Sequence, residues 1–255
     1  EVQLPAEIEK SPLSMEIFLS SLWNTGNETT FLDRMWKGRG RPVWSLELVS
    51  NEGRISYYIH LRQTWKHVIE ARIYGQFPDA QIFEVEDYVR KVPFNLGEYD
   101  MWCAEYTKPT KPDALPIKTY IDYEMDKSTD TPEIKTDPLS NLLELMNTMR
   151  KGEYLWVQFI IRAHAKTDIY GFQTNKDAYL DPAKEKIKEM MQSAALRAQS
   201  LVAGGDPKAE ERRAQAAARG LTLLTSGEKE QMEAMERQMT KLVFQCGVRC
   251  LYMGK

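Results

Sequence analysis

Apolar residues along the first part of the chain recur first at helical spacing and then in alternation. Ser11 can cap a helix and Pro12 suits its first position, so we expect a helix to begin there. Residues 44–49 and 55–61 alternate apolar and polar side chains, with a turn signal at residues 51–53. Two alternating segments joined by such a short polar turn are typical of a β-hairpin.

A helix and a strand complete the first half of the pattern. Between residues 64 and 77 the apolar positions recur at helical spacing, and Pro78 ends them. Residues 81–87 then alternate as a strand, and an extended segment precedes the first helix. The order strand, helix, strand, strand, helix, strand is that of a ferredoxin-like unit, with helices on one face of an antiparallel sheet. We predict this unit over residues 1–93 and a linker over residues 94–115.

The second half of the chain repeats the opening of the first. Residues 116–124 are a predicted strand, and Asp137-Pro-Leu-Ser then matches Ser11-Pro-Leu-Ser at three of four positions. An amphipathic helix follows, and residues 156–161 form a predicted strand in the place that residues 44–49 hold in the first half. A shared cap in a shared order indicates internal duplication, with chance similarity between two helix starts as the alternative.

A long helical insertion separates the second and third strands of this repeat, over about residues 178–241. Its first helix begins near Asp181, and a second helix-prone stretch covers residues 206–219. Thr225 and Glu228 resemble a capping box that starts a third helix. The insertion is therefore predicted to be a helical arm.

The last predicted strand covers residues 242–253. A complete ferredoxin-like unit would still need a closing helix and a fourth strand, so residues 116–255 are expected to form an incomplete second unit. Its sheet would keep one unpaired edge and part of one face uncovered. The expected fold class is α+β, with two tandem ferredoxin-like (βαββαβ) units, the second incomplete and carrying the helical insertion.

Composition favours a folded chain without a general affinity for polyanions. Hydrophobic residues make up 42%, and 34 basic against 37 acidic side chains leave a formal net charge of −3. The most apolar stretch, residues 154–161, is far shorter than the roughly 20 residues that span a bilayer. The chain begins with Glu1 and has no signal peptide. We expect a cytoplasmic piece of a longer protein, at the inner face of a membrane if an anchor lies elsewhere.

The three cysteines are too few for a disulfide framework and favour a reducing compartment. Cys246 and Cys250 lie on one face of a predicted strand, about 13 Å apart at roughly 3.3 Å per residue. A disulfide needs Cα atoms within about 7 Å. We expect Cys103, Cys246 and Cys250 to be buried thiols, with a reactive or metal-binding role as the alternative.

No catalytic or cofactor-binding pattern occurs in the sequence. The phosphate-binding loop G-x-x-x-x-G-K-[ST], the dinucleotide fingerprint G-x-G-x-x-G and the zinc patterns H-E-x-x-H and C-x-x-C are all missing. Acidic residues at positions 84, 86 and 87 and at 122, 124 and 126 alternate along predicted strands, which indicates a solvated sheet face. We expect no metal, no cofactor and no small-molecule substrate. The chain is expected not to be an enzyme, with an active site formed between subunits as the alternative.

A basic loop is the segment most suggestive of ligand binding. It contains Arg34, Lys37, Arg39 and Arg41, with glycines at positions 38 and 40 and tryptophans at 36 and 44. Glycines let backbone amides approach a phosphate, and guanidinium groups bind phosphate through paired hydrogen bonds. Nucleic acid or anionic lipid could dock there, and the simpler alternative is a solvated surface loop.

Methionines form stripes at helical spacing on the predicted insertion helices. Such stripes pack between neighbouring helices or provide an adaptable surface for another protein. We favour internal packing and keep contact with another subunit as the alternative. The residues concerned are Met190, Met191, Met232, Met235 and Met239.

Four strings of the sequence resemble a known family. They are Pro12-Leu-Ser-Met-Glu-Ile-Phe-Leu-Ser-Ser-Leu-Trp, Trp44-Ser-Leu-Glu-Leu-Val, Ile69-Glu-Ala-Arg-Ile-Tyr-Gly-Gln-Phe-Pro-Asp-Ala and Gly152-Glu-Tyr-Leu-Trp-Val-Gln-Phe-Ile-Ile-Arg. Together they resemble the N-terminal region that precedes the motor domain in type IV secretion or conjugation-like ATPases of uncultured candidate-phylum bacteria. The resemblance covers most of the chain except the alanine-rich insertion. It implies an assembly or regulatory domain beside a DNA- or protein-translocating motor, near a membrane, and it carries over no functional residue.

The leading expectation is a non-catalytic assembly domain associated with a membrane-linked secretion or conjugation motor. Its partners would be other proteins or copies of itself, engaged through the sheet edges and the helical arm. The alternative is a nucleic-acid-binding module that uses the basic loop at residues 34–41. Contact with a membrane is expected only through segments outside this chain.

Overall fold

The computed structural model describes residues 1–5, 10–25, 36, 38, 40–92, 95, 97–106, 113–126, 138–166, 174–201 and 224–255. Over these ranges the protein is α+β, with one seven-stranded antiparallel sheet and five α-helices. The strands are β1 (Val2–Gln3), β2 (Val43–Asn51), β3 (Arg54–His60), β4 (Gln81–Ile82), β5 (Asp100–Tyr106), β6 (Tyr154–Ala163) and β7 (Phe244–Gly254). The helices are α1 (Pro12–Leu22), α2 (Lys66–Gln76), α3 (Ser140–Asn147), α4 (Leu180–Leu201) and α5 (Ser226–Met239). Within the same ranges, no helix is long and apolar enough to cross a membrane.

The sheet has the strand order β4-β1-β3-β2-β6-β7-β5, and its pairings are antiparallel throughout. The β2–β3 hairpin turns at Glu52 and Gly53, whose φ angles of 54° and 86° lie in the left-handed region. A two-residue turn with positive φ at both positions is type I′, which matches the twist of antiparallel strands. The hairpin predicted from the turn signal at residues 51–53 is confirmed.

Two helices cover one face of the first half of the sheet. α1 begins as predicted, because Ser11 Oγ accepts a hydrogen bond from the Leu13 amide at 3.1 Å and Pro12 occupies the first turn. The Trp44 ring of β2 meets Trp65, just before α2, edge-on at 5.6 Å between centroids. The buried core of this layer consists of Phe18, Leu22, Trp44, Ile69, Ile73, Ala80 and Ile161.

The helix α3 packs on the same face, nearer the centre of the sheet. Leu48 points to this face because it lies four residues after Trp44 in an alternating strand. Met146 of α3 packs against Leu48 and against Val157 of β6. Ser50 Oγ also donates a buried hydrogen bond to the Met146 carbonyl at 2.5 Å. Packing and hydrogen bonding therefore join α3 to β2.

The opposite face of the central strands is covered by the chain between β4 and β5. This segment includes a 3₁₀ turn, Tyr88–Lys91, and the Tyr88 ring lies edge-on to Trp156 of β6 at 4.9 Å. The buried residues of this layer are Val49, Tyr88, Val92, Tyr99, Tyr154, Trp156 and Met253. The central strands are consequently buried on both faces.

Residues 109–117 and 165–242 form a second compact unit, separate from the unit that contains the sheet. α5 opens with the predicted capping box: the Glu228 amide donates to Thr225 Oγ1 at 3.3 Å, and the Thr225 amide donates to the Glu228 carboxylate at 3.0 Å. A small core between α4 and α5 contains Ala114, Ala183, Met190, Met232 and Met235. The helix predicted at residues 206–219 lies outside the described residues.

The strand predicted at residues 116–124 is wrong, because this segment is a turn. Asp122 accepts hydrogen bonds from the amide and the hydroxyl of Thr119 at 2.7 and 2.9 Å, and Glu124 has a φ of 54°. Such local bonds offer the backbone an alternative to a strand ladder. The strand that precedes α3 is β5, which lies inside the segment predicted as a linker.

The strand predicted at residues 81–87 ends at Ile82. Asp87 accepts a hydrogen bond from the Val89 amide at 3.0 Å and starts the 3₁₀ turn, so the chain leaves the sheet there. The acidic side chains at positions 84, 86 and 87 are therefore not on a strand. The α+β class is confirmed, whereas the two tandem ferredoxin-like units stay a prediction.

Candidate functional site

The outermost strand β5 is the candidate interaction site. It pairs on one side with β7 in continuous register from Asp100 opposite Gly254 to Tyr106 opposite Val248. It stands last in the strand order, so its other side faces no strand of the described sheet. All seven residues of β5 are exposed. A row of backbone amide and carbonyl groups is thus available to pair with another strand.

The side chains of β5 add exposed apolar surface to this edge. Tyr106 is 70% exposed, Trp102 58% and Met101 51%. Trp102 contacts the Tyr252 ring of β7 at 5.6 Å between centroids, so it lies against the sheet with much of its surface open. Exposed aromatic residues beside unpaired backbone groups are characteristic of surfaces that bind other proteins.

One of the two acidic side chains of β5 is paired within the chain. Glu105 of β5 accepts two hydrogen bonds from the Arg249 guanidinium of β7, at 2.8 Å from Nε and 2.6 Å from Nη2. This contact raises the pKa of Arg249 above its usual value. The edge therefore carries an ion pair in which two guanidinium N–H groups donate to the same carboxylate oxygen, Glu105 Oε1. β5 itself contains neither lysine nor proline.

β5 is difficult to predict from the sequence, because its side chains are exposed on both faces and show no one-sided apolar pattern. The signal that could have found it is the concentration of β-favouring Trp102, Cys103 and Tyr106 after the glycine at position 97. Cys103 stands at the middle of the strand and is exposed, as is Cys246 of β7. The prediction that these two are buried is wrong, and the third cysteine, Cys250, is half-buried. All three cysteines are free thiols.

Of the four basic residues in the predicted loop, the described part of the chain includes Arg41. Arg34, Lys37 and Arg39 lie outside the described residues. Arg41 is buried, and its Nη1 donates a hydrogen bond to the Ala163 carbonyl at 2.6 Å. Its guanidinium therefore holds the end of β6 and is not presented at a surface where a phosphate would bind. Trp44, predicted to flank the loop, belongs to the core described above.

Most of the methionine stripe is internal to the second compact unit. Met190, Met232 and Met235 are buried between α4 and α5, and Met239 packs at the border of that core. Met191 is 43% exposed. Internal packing, the interpretation favoured from the sequence, accounts for four of the five methionines, and only Met191 among them offers open surface.

A buried polar network lies beneath the segment that covers the second face of the sheet. Tyr88 donates a hydrogen bond to the Glu47 carboxylate at 2.7 Å, and Gln158 Nε2 donates to the Tyr88 hydroxyl at 2.9 Å. Burial and the contact with Glu47 raise the pKa of Tyr88 above its ordinary value of 10.0. The network satisfies a buried carboxylate, which would otherwise be costly to keep in the core.

The cavities in the unit that contains the sheet include two that described residues line. One has a volume of about 220 Å³ and is lined by Glu47, Tyr88, Glu70 and Lys66 among others; the second, of about 280 Å³, is almost wholly apolar and lies beside Phe18, Leu46 and Phe159. Lys66 pairs with Glu84, and Glu47 is held by Tyr88. Over the described ranges, no group of three or more histidine, cysteine or acidic side chains is placed to hold a metal ion.

Comparisons with protein-family models, with curated proteins and with solved structures found no match to this chain. Among the candidate sites, β5 is the one that combines unpaired backbone groups, exposed aromatic side chains and a defined position in the sheet.

Proposed function

We propose that this chain is a non-catalytic assembly domain that binds a protein strand along the outer edge of β5. The main support is the edge of the seven-residue strand β5, which has no further strand beside it in the described sheet and has Trp102 and Tyr106 exposed along it. An added strand gains affinity from main-chain hydrogen bonds and specificity from side chains at alternate positions. Trp102, Ala104 and Tyr106 alternate on one face of β5 and supply such positions.

The repeated strand order supports the same edge as the binding place. Counted outward from the middle of the sheet, the strands of the first half are β2, β3, β1 and β4. Counted outward in the other direction, the strands of the second half are β6, β7 and β5, so β5 corresponds to β1. We propose that the two halves are tandem ferredoxin-like units. A strand bound outside β5 would then occupy the place that β4 has in the first half.

The association with a secretion or conjugation motor at a membrane, and with it a cytoplasmic location, is proposed from the sequence resemblance. Nucleic-acid binding by the basic loop stays a second prediction that concerns Arg34, Lys37 and Arg39. The buried hydrogen bond of Arg41 to Ala163 makes that residue a support of the fold and weakens the four-residue phosphate site. The helical arm retains Met191 as a candidate contact.

A photo-crosslinking experiment tests the proposed function. A benzophenone amino acid replaces Tyr106 in the full protein within its source cells, and the matched control carries it at Leu196, an exposed position of α4. We expect irradiation to join a protein to position 106 and little to position 196. Mass spectrometry then identifies the attached chain. Equal labelling of both positions, or no product at position 106, would refute assembly through β5.

A further inference from the structure

We infer that the strand which pairs with β5 is β5 of a second copy of this chain, in an antiparallel dimer whose two-fold axis passes beside Cys103. The inference rests on the proposed function, because it assumes that the outer edge of β5 accepts a strand. It adds the identity of the partner, the symmetry and the register. The two seven-stranded sheets would join into one sheet of fourteen strands.

Symmetry makes an open antiparallel edge complementary to its own copy. A two-fold axis places the same strand on both sides in opposite directions, which is the geometry that antiparallel hydrogen bonding needs. Centring the axis on Cys103, the fourth of seven residues, pairs the whole strand. Any other centre on β5 leaves residues at one end without a partner in the opposite strand.

The side chains fit this register. Trp102 lies opposite Ala104 of the second copy, so a large side chain meets a small one on the same face. Met101 lies opposite Glu105, and Asp100 lies opposite Tyr106. The two acidic residues of each β5 thus face uncharged residues, and no like charges stand directly opposite one another.

Nothing in β5 blocks self-pairing. Natural edge strands avoid it through lysines, prolines, bulges or short length. β5 has seven residues in unbroken register with β7 and no lysine or proline. Glu105 is countered by Arg249 of its own chain, which reduces repulsion between the two copies. A second copy therefore meets the length, direction and charge requirements of this edge.

Sedimentation velocity of the purified 255-residue chain over a wide concentration range tests the dimer. We expect a concentration-dependent dimer for the wild type. Cys103→Lys brings two ammonium groups together at the axis and should give a monomer. Met191→Lys, which adds the same charge to the exposed methionine of α4, should leave the dimer intact. Circular dichroism and thermal melting verify that each variant is folded.

A charge pair at position 101 tests the register independently. Met101→Glu places a carboxylate opposite Glu105 of the second copy, whereas Met101→Lys places an ammonium group there. Both changes occur twice in the symmetric dimer and make the exposed site equally polar. We expect the dimer dissociation constant of Met101→Glu to exceed that of Met101→Lys by about tenfold or more.

Thiol crosslinking provides a third readout. A short bis-maleimide should link two chains of a variant whose single cysteine is Cys103, and should link few chains of a variant that retains only Cys246, which is also exposed but lies on β7. The inference is overturned by a wild-type monomer at all concentrations, by a dimer that Cys103→Lys leaves unchanged, or by equal constants for the two Met101 variants. A different protein attached at position 106 in the photo-crosslinking experiment would also overturn it while leaving the proposed function standing.

Discussion

The two edges of the sheet differ in length, exposure and surroundings. β4 consists of two residues, and its Ile82 packs against the core that α1 and α2 cover. Five residues after Ile82, Asp87 starts a 3₁₀ turn that leads the chain away from the sheet. β5 consists of seven residues, all exposed, in unbroken register with its one neighbour.

This difference shows that one sheet can protect an edge and present another. A short edge strand whose chain turns away offers few groups to a partner, whereas a long regular strand with exposed aromatic residues offers many. Such an edge favours uncontrolled association unless a specific partner covers it. The contrast therefore supports pairing of β5 in the assembled protein.

Replacing a tryptophan should give the largest difference in the free energy of unfolding between the packed core and the β5 edge. Trp44 is 1% exposed and packs with α1 and α2, while Trp102 on β5 is 58% exposed. Trp44→Ala should lower the free energy of unfolding by about 3–5 kcal/mol, because it leaves a cavity in a packed core. Trp102→Ala should lower it by about 1–2 kcal/mol, because only the part of the ring that lies against the sheet is buried.

Urea denaturation measures both values. The two replacements are best compared in the Cys103→Lys background, so that association of β5 does not contribute to the apparent stability of either. Equal losses of unfolding free energy at the two positions would contradict the interpretation that Trp44 is packed in a core and Trp102 lies on an open edge.

Replacing a buried and an exposed tyrosine by phenylalanine should give a smaller difference in the free energy of unfolding than the two tryptophan replacements. Tyr88→Phe removes the hydroxyl that donates to buried Glu47, and should lower the free energy of unfolding by about 1–3 kcal/mol. Tyr106→Phe, at a 70% exposed position of β5, should have little effect. Denaturant titrations of the two variants near neutral pH provide the comparison.

The difference in unfolding free energy between the wild type and Tyr88→Phe should change with pH in the alkaline range. Folding raises the pKa of Tyr88 above the ordinary 10.0, so the folded state favours the protonated hydroxyl. The advantage of the wild type over Tyr88→Phe should be complete below about pH 10 and should shrink as the pH rises further. An advantage that grows above pH 10 would show that the assigned direction is wrong.

The smallest change in the free energy of unfolding is expected when the ion pair between Glu105 and Arg249 on β5 and β7 is removed. Glu105→Gln removes the charge that Arg249 contacts, but the Glu105 side chain is 61% exposed and that of Arg249 is 42% exposed, so solvent reaches both. The free energy of unfolding should stay within about 0.5 kcal/mol of the wild type, because solvent and salt screen such pairs. A larger loss that persists at 1 M salt would mean that β5 is more enclosed than its exposure indicates.

Elements with strong local signals could be predicted from the sequence. The Ser11 cap, the turn at Glu52 and Gly53, and the Thr225 capping box are short motifs whose geometry depends on a few neighbouring residues, and the structure has all three. The central strands were also found, since their apolar side chains alternate or run continuously.

The candidate site could be predicted only in part. An unpaired edge was expected in the second unit, but β5, the strand that provides it, lies in the segment predicted as a linker. Strand order depends on pairings between residues far apart in sequence, which local patterns do not encode. Arg41 shows the same limit, because its partner Ala163 is 122 residues away.

The pairing of β2 with β6 has a consequence for how the chain folds while it is being synthesised. The side chains of Asn51 and Trp156 form a hydrogen bond across this pairing although 105 residues separate them. At roughly 5–20 residues per second, β2 leaves the ribosome roughly 5–20 s before β6 is available. During that interval β3 can pair with one side of β2, while the other side of this apolar strand lacks its partner. The nascent chain is therefore expected to bind chaperones until the second half of the sheet has emerged.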